Sequence, residues 1–212
     1  MSPILKGELL EFLREKIVTV DKCNSKLLTE FTVKEPRDSN ANPVFLQEYI
    51  RKYAVNDQKT GNNCTYIVYD RILNCAIAYF SLKAGSVRLY DYKYGQNYTK
   101  LAPGIEVSMF AANENYNIYT NNRIRQTSGI GPGEYVYRKY MLPIIKEVSE
   151  KIGVNILYLF ALPDDDLISY YNQRLGFYLP EVQENQIYKP YIPSFDDGCV
   201  FMYQILKEQS IK

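Results

Sequence analysis

The sequence predicts an α+β fold on a mixed sheet, and three features carry that expectation. Two β-branched and aromatic runs, "CTYIVYD" and "CAIAYFSLKA", are separated only by residues 71–74, which is hairpin spacing and makes them antiparallel neighbours. "VNILYLFAL" is an apolar run bracketed by helix-like segments, the pattern of a strand buried at the centre of a mixed sheet. "GIGPGEYVYRKYM" sets glycines just ahead of a long run with helical spacing, so the chain turns sharply and starts a helix. No internal repeat and no linker divides the 212 residues, and a single domain over 1–212 is expected.

Taken in order, Leu9, Leu10, Phe12, Leu13 and Ile17 recur at helical intervals, so residues 8–17 read as a helix. "KLLTEFTV" (26–33) reads as a strand after it, and "KEPRDSNANP" as a turn-rich loop. In "VFLQEYIRKYA" one helical face carries Phe45, Leu46, Tyr49, Ile50 and Tyr53. Beyond the hairpin, the Tyr-rich residues 85–103 read as irregular and "GIEVSMFAAN" (104–113) as the next strand. A polar loop, "NENYNIYTNNRIRQTS", leads to the glycines. Gly131 suits an N-cap, Pro132 the first turn where its missing N–H costs nothing, and Glu134 the positive end of the helix dipole. Val136, Tyr140, Ile144, Val148 and Ile152 then recur every fourth residue, and Pro143 is expected to kink that helix. "PDDDLISYYNQRLGF" reads as a short helix capped by an aspartate and closed before Gly176, and "GCVFMYQILK" as a last strand after the turn "SFDDG".

Lys and Arg total 25 against 24 acidic residues, so no global field favours nucleic acid or an anionic membrane, and any polyanion must meet a local site. No run approaches the roughly 20 apolar residues that span a bilayer, and "MSPILKGELLEFLREK" is too charged for a signal peptide; a cytoplasmic protein is expected. Histidine is absent, which removes every Ser-His-Asp, Cys-His and His-metal mechanism from this chain. Cys23, Cys64, Cys75 and Cys199 lack paired metal-ligand spacing, so reduced structural thiols and no metal are expected. Asp164, Asp165 and Asp166 read as a helix cap, since no second carboxylate cluster accompanies them.

Gly129, Gly131 and Gly133 miss the dinucleotide fingerprint, because Glu134 stands where its third glycine belongs, and they miss the P-loop, because no Gly-Lys-Ser/Thr follows. One reading of the turn is an ordinary glycine-rich helix start. Another is the pattern Gln/Arg-x-x-Gly-x-Gly/Ala, met here from Gln126 to Gly131, and in it the chain resembles the GNAT family of acyl-CoA-dependent N-acetyltransferases. "IEVSMFAAN" resembles that family's fourth strand, and "LYLFA" followed by "YYNQRLGF" its fifth strand and Tyr-x-x-x-Gly-Phe signature. "FLQEYIRKYA", "TYIVYD" and "IAYFSLKA" resemble its early helix and hairpin, so the resemblance covers residues 26–206 with most weight after 104.

The resemblance implies a mostly antiparallel mixed sheet splayed between strands 4 and 5 and flanked by helices, with acetyl-CoA as co-substrate. It implies that Gln126, Thr127, Ser128, Gly129, Ile130, Gly131, Pro132 and Gly133 wrap the coenzyme's pyrophosphate. Successive N–H groups and a helix N-terminus converge there on a dianion, while side chains at the glycines would block it. Two departures stand out: "NIYTNNRI" is an insertion between strand and turn, and Pro132 has no N–H to donate.

Forming an amide from an amine and a thioester needs a neutral amine, a polarised carbonyl and a proton for the departing thiolate. By the resemblance, backbone groups of Phe110, Ala111 and Ala112 pair with the pantetheine arm and polarise the thioester oxygen. Glu106 matches the family's glutamate base; its other reading is an exposed strand glutamate on the solvent face. Tyr171 matches the general-acid tyrosine counted forward from the strand. Counted back from Gly176 there is one residue too many, expected as a bulge after the helix, which keeps Tyr170 as an alternative. Asn172 is assigned to the pantetheine or the phosphates. Arg123, Arg125, Arg138 and Lys139 either meet the 3'-phosphate or form a solvated cluster.

The expected activity is transfer of acetyl from acetyl-CoA to a primary amine, of a small molecule or peptide, by direct attack in a ternary complex. One alternative is an acetyltransferase toxin acting on aminoacyl-tRNA, which the early "FLQEYIRKYA" and "YFSLKA" segments resemble; near-zero charge and Glu106 speak against it. The other is an acyl-CoA binding protein without turnover, motivated by the extra residue after Tyr171. No membrane and no nucleic acid other than tRNA are expected as partners, and a homodimer is left open.

Overall fold

β-branched and aromatic residues dominate the strands of this chain, and their pairing sets the frame for every helix. The structure is a computed structural model and describes residues 14–22, 24–34, 43–93, 96–180, 188–190 and 198–206. Strands β1 (Glu15–Thr19), β2 (Cys64–Asp70), β3 (Cys75–Lys93), β4 (Gln96–Ala112), β5 (Ile156–Ala161) and β7 (Val200–Ile205) form a mixed sheet in that order, and β6 (Tyr188–Pro190) pairs with β3. β1 runs antiparallel to β2, from Glu15 opposite Asp70 to Thr19 opposite Tyr66. β4 and β5 are parallel, but only from Gly104 opposite Ile156 to Glu106 opposite Tyr158. β4 continues to Ala112 past that pairing, which is the expected splay between strands 4 and 5. β5 keeps its other edge filled by β7, antiparallel from Ile156–Ile205 to Ala161–Val200.

The helices are α1 (Val44–Glu48), α2 (Ala54–Thr60), α3 (Glu114–Tyr119), α4 (Arg123–Ser128), α5 (Pro132–Val136), α6 (Leu142–Ile152) and α7 (Asp165–Leu175). Packing groups the elements into two compact units, with β3 divided after Ser81, β4 after Ser108, and the helical run after Met141. The first holds β1, β2, the start of β3, the end of β4 and α1 to α5; the second holds the remaining strands with α6 and α7. The core of the first gathers Leu28, Phe31, Ile50, Ile67 and Tyr79. Phe31 meets Tyr79 edge-on at 5.3 Å, and the buried Tyr79 hydroxyl donates to the Leu46 carbonyl at 2.7 Å. The core of the second gathers Val87, Ala102, Ile156, Tyr158, Phe201 and Tyr203.

Several elements depart from the sequence reading. Where a helix over 8–17 was expected, residues 15–17 belong to β1, and 8–13 lie outside the described residues. The β-branched Ile17, Val18 and Thr19 find a strand partner in β2, and that pairing overrides the helical spacing. The strand expected at 26–33 is instead a 3-10 turn, Ser25–Leu28, followed by irregular chain. Asp21 N–H donates to Asn24 Oδ1 at 2.9 Å and Asn24 N–H to Asp21 Oδ1 at 2.8 Å, which curls the backbone before any strand can start. Residues 85–93 and 96–103 of the Tyr-rich stretch are not irregular but lie in the long β3 and β4, as their β-favouring composition permits, and residues 94 and 95 lie outside the described residues. Cys23, residues 35–42 of the turn-rich loop and most of "SFDDG" lie outside the described residues, and β6 was not anticipated.

Two π-helical turns explain the helix faces that were misread. Tyr49–Tyr53 joins α1 to α2, and Tyr137–Met141 joins α5 to α6, each adding a residue to one turn. In the first, Tyr49, Ile50 and Ala54 are buried while Phe45 and Tyr53 face solvent. In the second, the buried stripe runs Val136, Tyr137, Met141, Ile145 and Ser149, one position ahead of the expected Tyr140, Ile144 and Val148, and Ile152 is exposed. The wide turn sits directly before Pro143, which lacks the N–H that a regular helix would use there.

The polar loop also proves to be helical. Tyr116 and Ile124 are buried anchors for α3 and α4, and Asn121 and Asn122 join them at φ 49° and 57°, a conformation asparagine tolerates. α7 matches expectation, with Asp164 accepting the Leu167 N–H at 2.8 Å and Gly176 closing the helix at φ 76°. No bulge follows it, because Gly176 and Phe177 N–H both donate to Tyr171 O in an ordinary C-terminal cap.

Burial raises the pKa of Tyr49, Tyr79, Tyr116, Tyr140 and Tyr171, and pushes Tyr116 and Tyr171 up to about 12. A raised native pKa contributes stability in full below the unfolded value, about 10, and loses it as pH climbs through the native one. Stability should therefore hold to about pH 9 and fall from about pH 10 to 12, at about 1.4 kcal/mol per pH unit for each of Tyr116 and Tyr171. Alkaline titration followed by tyrosinate absorbance and circular dichroism checks this; these tyrosines ionising near pH 10 in a still-folded protein would contradict it.

Candidate functional site

The glycine turn lies in the first unit, where two short helices must meet with little chain between them. α4 ends at Gly129, whose φ of 76° is strained for any side chain and whose N–H donates to Arg125 O at 2.9 Å. Gly131 returns to extended backbone as the N-cap of α5, and its carbonyl accepts the Tyr135 N–H at 2.9 Å. A helix start leaves its first amides without intrahelical acceptors, so the Gly133 and Glu134 N–H groups point out of the helix end, while Pro132 contributes none. From α5 the helical run continues through its wide turn to Ile152. Gln126, Thr127 and Ser128 use their side chains to brace α4: Gln126 Nε2 donates to Asn121 O at 2.8 Å, Thr127 Oγ to Arg123 O at 3.0 Å and Ser128 Oγ to Ile124 O at 2.7 Å. The turn is therefore solvent-facing, braced from behind and lined by main chain.

A cation stands beside it. Arg125 is exposed, and its Nη2 lies 3.6 Å from where a Cβ on Gly131 would sit. The rest of the basic cluster is engaged: Arg123 and Lys139 pair with Glu15 at 2.6 and 3.2 Å, and Arg138 with Glu134 at 2.9 Å. Phe110, Ala111 and Ala112 end β4 in the same unit, with Ala111 buried and the other two half-buried. The buried Asn113 pins that strand end. Its Nδ2 donates to Ala76 O at 2.7 Å, its Oδ1 accepts the Thr32 N–H at 3.1 Å, and its own N–H donates to Ile77 O at 2.8 Å.

Glu106, Tyr171 and Asn172 belong to the second unit. Glu106 is buried rather than on a solvent face: Tyr158 donates its hydroxyl to Oε2 at 2.9 Å, and Lys83 Nζ pairs with Oε1 at 2.8 Å. Tyr171 is buried between the rings of Tyr170 and Phe177, at centroid distances of 6.0 and 5.9 Å. Asn172 Nδ2 donates to Phe177 O at 2.8 Å and so helps to close α7.

No family model and no curated sequence matches this chain. Solved structures do match over most of its length. A Tyr-to-Phe mutant of KacT shares 11% identity, covering 91% of this chain and 95% of that one at a TM-score of 0.58. The AtaT mutant toxin bound to the C-terminus of the antitoxin AtaR and acetyl-CoA shares 13%, covering 91% and 94% at 0.53. AtaT complexed with acetyl-methionyl-tRNAfMet shares 16%, covering 83% and 94% at 0.55. This chain has the GNAT fold.

Within the GNAT fold the fourth and fifth strands are β4 and β5, and the short parallel pairing that ends at Glu106 and Tyr158 is where they part. The predicted residues fall into two sets, the turn with Phe110, Ala111 and Ala112 in one unit, and Glu106 with Tyr171 and Asn172 in the other. Sequence reasoning missed Lys83 and Tyr158, the partners of Glu106, and also Asn113 and Glu15. A signal for Tyr158 existed in two glycines. Its ring lies across Gly85 and Gly104, where an added Cβ would come within 1.9 Å of the phenol oxygen and 3.0 Å of the ring.

Among the described residues there is no group of acidic or thiol side chains able to hold a metal ion, Cys64, Cys75 and Cys199 are thiols and not disulfides, and no helix is long and apolar enough to cross a membrane. Gly85→Ala should displace Tyr158 from Glu106 and cost about 1–3 kcal/mol of stability, read as a lower melting temperature. A melting temperature equal to wild type would contradict this packing.

Proposed function

We propose that this chain is an acetyl-CoA-dependent N-acetyltransferase that passes acetyl to a primary amine by direct attack in a ternary complex. The observation that carries the reading is the turn at Gly129 and Gly131, which presents main-chain amides and a neighbouring arginine on a GNAT fold. The amides of Gly131, Gly133 and Glu134 are the donors for a diphosphate, and Arg125 adds charge. Each charge-assisted hydrogen bond of this kind contributes about 1.5–3 kcal/mol. The backbone of Phe110, Ala111 and Ala112 pairs with the pantetheine arm. Bound acetyl-CoA supplies an activated thioester; the protein orients it and manages two protons.

Tyr171 is the proposed proton donor to the departing thiolate. Burial pushes its phenol up to about 12, so handing a proton to a thiolate of ordinary affinity, near 8.5, is uphill by on the order of 5 kcal/mol. The transfer helps only in concert with C–S cleavage, with the hydroxyl directly on the sulfur. Glu106 is the proposed acceptor of the amine's proton, through water. Taking that proton breaks its pairing with Lys83, so the role costs part of an ion pair.

Among acceptors, the amino group of aminoacyl-tRNA is favoured over a free small amine. One similar structure is AtaT complexed with acetyl-methionyl-tRNAfMet, and other similar structures are named as toxins. The engagement of Glu106 by Lys83 and Tyr158 also weakens the objection that a free glutamate base argues against this acceptor.

Thiol release from acetyl-CoA across small amines, peptides and charged tRNA tests the activity, with turnover highest on charged tRNA; no release with any acceptor would leave a binding protein. Tyr171→Phe should lower kcat by about a hundredfold or more, with acetyl-CoA affinity within about threefold. Equal losses in both, or none, would reject the proton-donor role. Gly129→Val, strained by the positive φ, should weaken acetyl-CoA binding in calorimetry.

A further inference from the structure

The carboxylate of Glu15 sits in β1, far in sequence from the glycine turn, yet it is bound by residues on both sides of that turn. Arg123 Nη2, in α4, donates to Oε1 at 2.6 Å. Tyr135, in α5, donates its hydroxyl to Oε2 at 2.6 Å, and Tyr140 and Lys139, one turn further on, reach the same oxygen at 3.0 and 3.2 Å. The carboxylate is buried, with 2% of its side chain exposed, and it faces two cations and two phenols. Burial alone would raise its pKa, but the Tyr135 and Arg123 hydrogen bonds and the Lys139 charge outweigh that and hold it below the usual value. Arg123 is itself fixed by Tyr116, whose hydroxyl accepts from Nε at 3.1 Å and from Nη2 at 2.9 Å. Tyr116 in turn donates to the buried Asp70 at 3.1 Å, and Asp70 is held by Arg14 at 2.6 Å.

We propose that Glu15 is a positioning residue for the glycine turn, its single carboxylate tying α4 to α5 and so holding the residues between them in the conformation that receives the diphosphate. This rests on the coenzyme reading above. The chain between Arg123 and Tyr135 contains the three glycines Gly129, Gly131 and Gly133, which widen the conformations it can adopt when unrestrained. Closing that segment through a buried charge removes most of that freedom in advance of binding, and preorganisation of this kind is recovered as affinity. Tyr135 and Tyr140 add direction, because a phenol donates along one axis while the Lys139 ammonium is a compact charge that many geometries satisfy. Removing the charge at Glu15 takes from the buried Arg123 its 2.6 Å ion pair and leaves it Tyr116 and the more distant Asp70 at 4.0 Å, both behind α4, so α4 is the end of the turn expected to move.

Two measurements on the full chain test this. In ligand-free protein, amide hydrogen exchange over residues 126–134 should speed up by about tenfold or more in Glu15→Gln and less in Tyr135→Phe, which keeps the charge and the packing. In calorimetry, acetyl-CoA should bind Glu15→Gln and Arg123→Gln each about tenfold or more weakly, and the double variant no more weakly than the worse single one, while kcat stays within about threefold. Unchanged exchange across the turn, or wild-type acetyl-CoA affinity in a Glu15→Gln protein that merely melts earlier, overturns the proposal. Wild-type protein that gives no heat with acetyl-CoA overturns the coenzyme reading instead, and the exchange experiment still decides whether Glu15 orders the turn. Should Glu15→Gln fail to fold, Tyr135→Phe carries both measurements.

Discussion

The chain has to end one helix and begin another within three residues, and only a left-handed residue at Gly129 followed by extended Gly131 allows it. Everything proposed for the coenzyme follows from that reversal. It exposes the amides at the start of α5, it keeps side chains away from them, and it brings Arg125 alongside. The same geometry leaves a flexible segment, so the fold must restrain it from outside. The side chains of Gln126, Thr127 and Ser128 are bonded back onto the loop and helix behind them, and the Glu15 carboxylate fastens the helices on either side.

Glu106 and Tyr171, the residues proposed to move protons, are governed by a different balance. Glu106 is buried, where an unpaired carboxylate would be costly, and Lys83 and the Tyr158 hydroxyl satisfy its two oxygens. Tyr158 can reach it only because Gly85 and Gly104 leave room for its ring. Tyr171 is buried beside Tyr170 and Phe177, and that burial makes it a weaker acid than a free phenol.

Much of this was legible in the residues, and what escaped has physical causes. The hairpin of β2 and β3, the buried β5 and the aspartate-capped α7 follow from alternation, apolar runs and capping, which are local signals. The glycine pattern marked the turn for the same reason. Helix faces were misread because a π-helical turn shifts the stripe by one residue, and neither Tyr49–Tyr53 nor Tyr137–Met141 carries a local mark of it, Pro143 aside. β1 and the helices α3 and α4 escaped because their stability is tertiary: β1 needs β2, and the polar segment around Tyr116 and Ile124 is helical through two buried anchors. Glu15 was invisible for the same reason, since its four partners lie more than a hundred residues away in the chain.

A crystal structure of the chain with acetyl-CoA tests the central claim most directly. The diphosphate is expected within hydrogen-bond distance of the backbone amides between Gly129 and Glu134, with the Arg125 guanidinium beside it. A diphosphate bound elsewhere on the protein, or crystals grown with saturating coenzyme in which that turn holds nothing, would contradict the account.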